Sequence, residues 1–341
     1  MADVPVTPAP PHAPAAWREP LVSLVLLALL AGAAIWADAL GEPYYVNLAS
    51  RITLLAMAGA GLNLALGFGG MVSFGHAAFF GLGGYAAGIA AHHAMNSEPV
   101  FSWPVVIEAS DQMPAIWLAG MGMAGLAGLV FGALSLRTSG VYFIMITLAF
   151  AQMVYYFAVS WPAYGGEDGL SIYVRNSFPG LDSYDPLSFF ALAFAGLLLT
   201  LGITRVLMSS RFGAALSMAR LNETRLATAG IRPFPIRLTA FVISAVLTGW
   251  AGALYADLNG FVSPTMMSWH MSGELIVFCI LGGVGRLAGP VAGAAAWVLL
   301  ETFLGGATER WPFFLGLALL AVVLFFRGGI VGALAGKPRD G

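Results

Sequence analysis

Ten stretches of about 20 mostly apolar residues, the length of a membrane-crossing helix, follow one another along this chain. They lie near 20–38, 44–66, 72–94, 114–136, 139–161, 187–207, 238–258, 269–285, 287–306 and 311–328. No other feature limits the fold so strongly. In lipid every backbone N–H and C=O must find a partner inside the protein, so runs of this kind fold as bundled helices. Only 9% of the residues are charged, against roughly 25% in a soluble domain. With 59% hydrophobic residues and a mean hydropathy of +0.84, the chain has too little polar surface for solution. The expectation is an all-α polytopic membrane protein with about ten transmembrane helices. Its 43 glycines suit close helix packing in lipid. The eighth stretch is the weakest. It is short, carries Glu274 and runs into "LGGVGRLAGP". It reads as a full span or as a broken, re-entrant helix, which lipid tolerates only where protein or water covers the backbone.

The remaining segments divide the chain. Residues 1–19, "MADVPVTPAPPHAPAAWRE", form a Pro/Ala-rich tail expected to be disordered. The tail lacks the basic start of a signal peptide. Residues 20–330 are the membrane domain, and 331–341 a C-terminal tail. The single cysteine, Cys279, excludes an intramolecular disulfide. A net charge of −2 gives no sign of nucleic acid as a partner.

Positive charge is concentrated. Of 15 Lys+Arg, six (Arg205, Arg211, Arg220, Arg225, Arg232 and Arg237) fall between 205 and 237, where Glu223 is the only acid. Basic loops stay in the cytoplasm. This one sets an orientation with both termini inside, consistent with Arg18, Arg137, Arg286, Arg327, Lys337 and Arg339. The loops expected outside carry acids: Glu98, Glu108 and Asp111 in 95–113, and Glu167, Asp168, Asp182 and Asp185 in 162–186 against one Arg175. Arg51 departs from the pattern and reads as a snorkelling side chain. The loop 208–237 also has internal order. Ser210 is placed to cap a helix over "RFGAALSMAR". Asn222 can cap a second over "ETRLATA", with Glu223 in its first turn. Gly230 can end it, and Pro233 and Pro235 prevent its resumption. On pattern alone this is either a surface-lying connector or a docking element for a cytosolic partner.

Four motifs together resemble the permease subunits of bacterial ATP-binding-cassette importers for branched-chain amino acids, the LivM type. They are "GLNLALGFGGMVSFGHAAFFGLGGYAAG" (61–88), "LRTSGVYFIMITLAFAQM" (136–153) with "GGEDGL" (165–170), "SRFGAALSMARLNETRLATAGI" (210–231) and "SGELIVFCILGGVGRLAGPVAGA" (272–294). The resemblance covers about residues 45–330. It implies the type II importer fold. It also implies that the third motif is the loop coupling the permease to its ATPase, with Arg211, Gly213, Arg220, Glu223 and Gly230 as contact residues. This loop reads Met218-Ala219-Arg220-Leu221, where relatives carry more charge. The implied partners are a second homologous permease subunit, two cytosolic ATP-binding-cassette ATPases, a periplasmic substrate-binding protein and the lipid bilayer of a bacterial inner membrane. The loop with Gly165, Gly166, Asp168 and Gly169 would face the binding protein. Gly70, Ser73 and His76 in the first motif, with Gly282, Gly283 and Gly285 in the fourth, are the candidates for the moving substrate pathway. Ordinary close packing of helices is an equally good account of these glycines.

The residues exclude several chemistries. The only lysine is Lys337, in "AGKPRD", so no phosphate-binding G-x-x-x-x-G-K-[ST] loop exists. The chain is expected to bind no cofactor itself, and any ATP belongs to a partner. Ser73 and His76 share a helical face, but no acid nearby in sequence completes a hydrolase. The plainer reading has both bonding backbone or water. No H-E-x-x-H occurs, and His92 and His93 read as interfacial rather than as metal ligands. The chain is therefore read as no enzyme. An ion-coupled secondary transporter remains the rival, with His76, Glu274 and Glu301 as the deep ionisable groups. On the importer reading those groups only satisfy hydrogen bonds in glycine-rich junctions. Cargo is expected to be Leu, Ile, Val or a similar small hydrophobic amino acid, with urea or short amides as alternatives. A structural subunit without a pathway is a third class, which the long acidic loop opposes.

Overall fold

The computed structural model describes residues 18–97, 99, 111–325 and 328–336. Most of the N-terminal tail, Glu98, Glu108, Arg327, Lys337 and Arg339 lie outside the described residues. The chain runs through α1 (Arg18–Ala39), α2 (Pro43–Asn63) with a π-helical turn (Leu64–Phe68), α3 (His76–Asn96), α4 (Met113–Ser135) and α5 (Val141–Val159). It continues through β1 (Leu170–Ser171), α6 (Pro186–Ser209), α7 (Arg211–Leu221), α8 (Glu223–Thr228), α9 (Pro233–Asn259) and β2 (Phe261–Val262). A 3₁₀ turn (Pro264–Met267) leads into α10 (Trp269–Gly282), α11 (Gly289–Ala307), α12 (Trp311–Phe325) and α13 (Gly329–Ala335).

The architecture is the expected all-α membrane bundle. Among the described residues seven helices are both long and apolar enough to span a bilayer: α1, α2 with its π turn, α4, α5, α6, α9 and α11. The 21-residue α3 has the length but not the hydropathy, because His76, His92, His93 and four glycines dilute its apolar residues. The 14-residue α10 rises only about 21 Å, short of a hydrocarbon core of about 30 Å. The 15-residue α12 is short as well.

Two ends can be told apart. The basic end holds α7 and α8. The acidic end holds the loop 162–186, tied there by antiparallel pairing of Leu170 with Val262 and Ser171 with Phe261. Both ends of the described chain lie at the basic end. Glu19 lines the same cavity as Arg205 and Ala288, and the Gly336 carbonyl accepts from Arg286.

The centre is α2 packed on α9, with α3, α4, α10 and α11 around them and α1 and α5 peripheral. Glycines set these approaches. A Cβ on Gly83 would meet the Gly249 carbonyl, and one on Gly252 the Phe80 carbonyl. A Cβ on Gly293 would meet the Phe278 carbonyl. Backbones thus touch where lipid offers no hydrophobic drive and close dispersion contact must hold helices together. Arg51, expected to snorkel, instead pairs across helices with Glu301 of α11 at 3.0 Å.

Candidate functional site: two broken helices and a basic elbow

α2 ends in the π turn, and Gly70 at φ +67° reverses the chain into an irregular segment over 69–75. The third expected span therefore begins at His76, not at 72. This start is deep. His76 Nε2 meets Ser244 Oγ at 2.7 Å, and Ser244 lies about 17 Å along the 27-residue α9 from its basic end. From there α3 climbs to the acidic end, where His93 meets the Tyr164 hydroxyl at 2.9 Å.

The second break faces the first. After β2 the chain turns inward, and α10 starts at the same level. The Ser272 hydroxyl donates to the Phe74 carbonyl at 2.6 Å and accepts from the Ala77 N–H at 3.0 Å. From this junction α10 descends to the basic end. The eighth stretch is thus a half-length helix, the broken alternative. Backbone freed by both breaks is satisfied by protein, as lipid requires. Thr147 Oγ1 accepts from Phe74 N–H, and Ser73 Oγ from Gly75 N–H.

Ser73 and His76 do not face each other as a nucleophile and its base. The Ser244 hydroxyl donates to the Gly61 carbonyl at 2.6 Å. His76 must then donate from Nε2, which fixes its tautomer and leaves Nδ1 without a partner among the described residues. Its ring packs edge-on between Phe79 and Phe241. Ser73 thus bonds local backbone, as the plainer reading expected, whereas His76 bonds a hydroxyl on another helix rather than backbone or water.

At the basic end, Gly282, Gly283 and Gly285 end α10 and lead toward α11. Gly283 and Gly285 have φ of +125° and +75°. A Cβ on Gly282 would strike the Gly289 carbonyl. Asn63, on the last turn of α2, clamps the break. It donates to the Arg286 carbonyl at 2.8 Å and accepts from Gly285 N–H at 3.0 Å. Arg286 reaches on to the carbonyls of Val331 and Gly336 and so fixes α13. Sequence reasoning missed Asn63 and Arg286. An Asn closing the apolar run "ITLLAMAGAGLN" was the available signal.

The elbow forms as its local chemistry dictates. Ser210 accepts from Phe212 N–H to cap α7, Asn222 accepts from Arg225 N–H to cap α8, and Gly230 at φ +82° ends α8. Pro233 then opens α9 at its first turn. Glu223 pairs with Arg237 of α9. Arg211 is exposed. Gly213 is buried, and its missing Cβ lets α7 fold back on the Met208 backbone. Arg220 is itself exposed, but its tip reaches back to the bundle. Its Nη1 donates to the Gly67 carbonyl at 2.5 Å, its stem lies over Gly70, and Nη1 borders Gly285. One side chain thus joins α7 to both breaks, linking two residue sets that the sequence kept apart.

In the acidic loop, Gly165, Gly166 and Gly169 all have positive φ, and the segment folds onto β2 with Asp168 exposed. Arg175 pins the loop. It donates to the carbonyls of Asp257, Leu258 and Ser183 and stacks over Phe189. Burial holds its guanidinium below the ordinary value, opposed by Asp257 and Tyr184. Asn176 is buried and donates to Asp257 at 2.6 Å. Asp185 caps α6, and the Ser188 hydroxyl and amide hold its carboxyl below the usual range. Among the described residues no group of three or more His, Cys, Asp or Glu is placed to hold a metal.

The sequence model of the family described as branched-chain amino acid transport system / permease component matches residues 44–327. The chain is 26% identical to the high-affinity branched-chain amino acid transport system permease protein LivM of Escherichia coli K12, over 89% of this chain and 73% of that protein. The same figures hold for LivM of Salmonella typhimurium LT2. It is 29% identical to the autoinducer 2 import system permease protein LsrC of Yersinia pseudotuberculosis, over 44% of this chain and 43% of that protein. No solved structure matches.

Proposed function

Because the chain belongs to the family of branched-chain amino acid transport system permease components, a multi-pass inner-membrane transport family and not an enzyme class, we propose that it is the permease subunit of an ATP-driven importer of branched-chain or similar small hydrophobic amino acids. The basic end faces the cytoplasm, with both termini there. The acidic loop faces the periplasm and a substrate-binding protein. A second homologous permease completes the pathway, and two ATPases bind the ATP. Residues 20–330 act as one permease domain. The LivM relatives support the cargo class. The LsrC relatives bear a different cargo in their name, so cargo varies among similar chains.

The observation that carries this reading is the Arg220 contact. A motor that moves α7 must reach the pathway through packed elements with two discrete arrangements. Arg220 supplies a direct route from α7 to Gly67, Gly70 and Gly285. Alternating access then proceeds by shifting α7 against the two breaks. Gly213 serves at the elbow's hinge, and Arg211 and Arg225 present charge to the ATPase. The chain's own groups carry no covalent step.

The test is assembly. The tagged chain, purified from its own host's membranes in mild detergent, should bring a second polytopic protein and a P-loop ATPase in equal amounts. ATPase recovery should fall when Arg211 and Arg225 are both replaced by Glu. A chain that purifies alone and transports alone would overturn the proposal.

A further inference from the structure

A cavity of about 580 Å³ lies between α3, α5, the end of α9, the segment after β2, and α10. Its size falls within the range of small-molecule sites. Asn259, Phe261 and Ser263 place its mouth at the acidic end. Its walls include Phe80, Tyr155, Tyr255, Met266 and Met271. Glu274, the lining residue furthest along α10, is its innermost charge.

On the importer reading Glu274 was expected to satisfy a hydrogen bond in the glycine-rich junction. It makes none among the described residues. Its neighbours explain what it lacks. Glu301 and Arg51 are close enough to act on it electrostatically, but they are bonded to each other. Arg51 is engaged by Glu301, so Glu274 faces the cavity without an ion-pair partner among the described residues. His270, exposed and stacked on Trp269, is the other titratable lining group apart from the two tyrosines.

An unpaired, half-buried carboxylate under aromatic and thioether walls suits one kind of guest. A primary ammonium would bond the carboxylate and lie against aromatic faces, each interaction strengthened by partial desolvation. A short branched apolar tail would fill the rest. We propose that this cavity is a transit site that takes the ammonium group of the amino-acid cargo, with Glu274 as its counter-ion. This rests on the cargo class proposed above, and it gives the permease a selectivity of its own. A solute of the same size that lacks an ammonium group offers Glu274 no such partner.

The assembled importer in liposomes, carrying Cys279→Ser, tests this with a cysteine at Ser268 in the cavity wall. Rates of modification by a cationic and an anionic thiosulfonate reagent are compared with those at Tyr173→Cys, an exposed loop position. The cationic preference at 268 should exceed that at 173 by about tenfold, the lower bound for focusing by a charged cleft. Glu274→Gln should abolish the excess, and Glu274→Asp should retain part of it. Isopentylammonium should slow labelling at 268, and 4-methylpentanoate should not. Equal preference at the two positions, or equal protection by amine and acid, overturns the site. If the Gln variant does not assemble, the reagent ratio and amine protection in the Glu274 protein decide alone. ATP-driven leucine uptake is read on the same vesicles. Lost uptake with an intact cationic preference overturns the importer reading and leaves the site. Intact uptake without that preference overturns the site alone.

Discussion

Replacing Arg220 by Met isolates the link between the elbow and the breaks. Met keeps the unbranched apolar stem that lies over Gly70 and removes the cation and its donors. The lost contact is a charge-assisted bond to a carbonyl at the end of the π turn, 2.5 Å long and half-buried. Such bonds contribute about 1.5–3 kcal/mol. At about 1.4 kcal/mol per tenfold, movement of α7 would bias the breaks some tenfold to a hundredfold less strongly. ATP hydrolysis belongs to the partner and does not need this bond. In proteoliposomes the variant should therefore hydrolyse ATP at near wild-type rate while leucine uptake falls at least tenfold. Arg220→Lys keeps the charge but not the guanidinium fork and should fall between. Equal uptake per ATP hydrolysed in wild type and Arg220→Met would refute the route through Gly67.

Three further outcomes follow from local geometry. Gly83→Ala sets a methyl group on the Gly249 carbonyl and should cost about 1–3 kcal/mol, seen as a lowered thermal midpoint in detergent. Gly230→Val has open space around it but must hold φ near +82°, so it should loosen the elbow by about 1–2 kcal/mol and reduce ATPase recovery without lowering the midpoint of the bundle. With Cys279→Ser, an impermeant thiol reagent outside the cell should label Tyr173→Cys and not Leu221→Cys. Both positions are well exposed, whereas Asn176 and Ala219 are buried and unsuited to labelling.

The parts of the fold governed by neighbours in sequence were legible. Caps at Ser210 and Asn222 and the stop at Gly230 need only a few residues of context, and all three form as local hydrogen-bond chemistry requires. The eighth stretch left a full span and a broken helix both open, and the end of α10 at Gly282 decides for the half-length helix. The deep start of α3 was not legible. Residues 69–75, "GGMVSFG", carry three glycines that hint at a break, but only Ser272, nearly 200 residues away, shows where it lies and what satisfies that backbone. The direction of Arg220 was hidden for the same reason. A basic residue on a short helix reads as surface until the Gly67 carbonyl is placed beside it. The place of Gly213 inside the α6–α7 elbow, against the Met208 backbone, was hidden likewise. Glu274 and Glu301 looked alike in sequence. Arg51 distinguishes them by pairing with one.

The central claim, that ATP bound by a partner moves cargo through this chain, is tested most directly by the energetics of transport. The complete complex is reconstituted with ATP inside the vesicles, binding protein and labelled leucine outside, and ionophores present to collapse every ion gradient. Leucine should accumulate against its gradient, stop when ATP is withheld, and gain nothing from an imposed proton or sodium gradient without ATP. Accumulation driven by such a gradient in the absence of ATP would contradict the account and make the protein a secondary transporter.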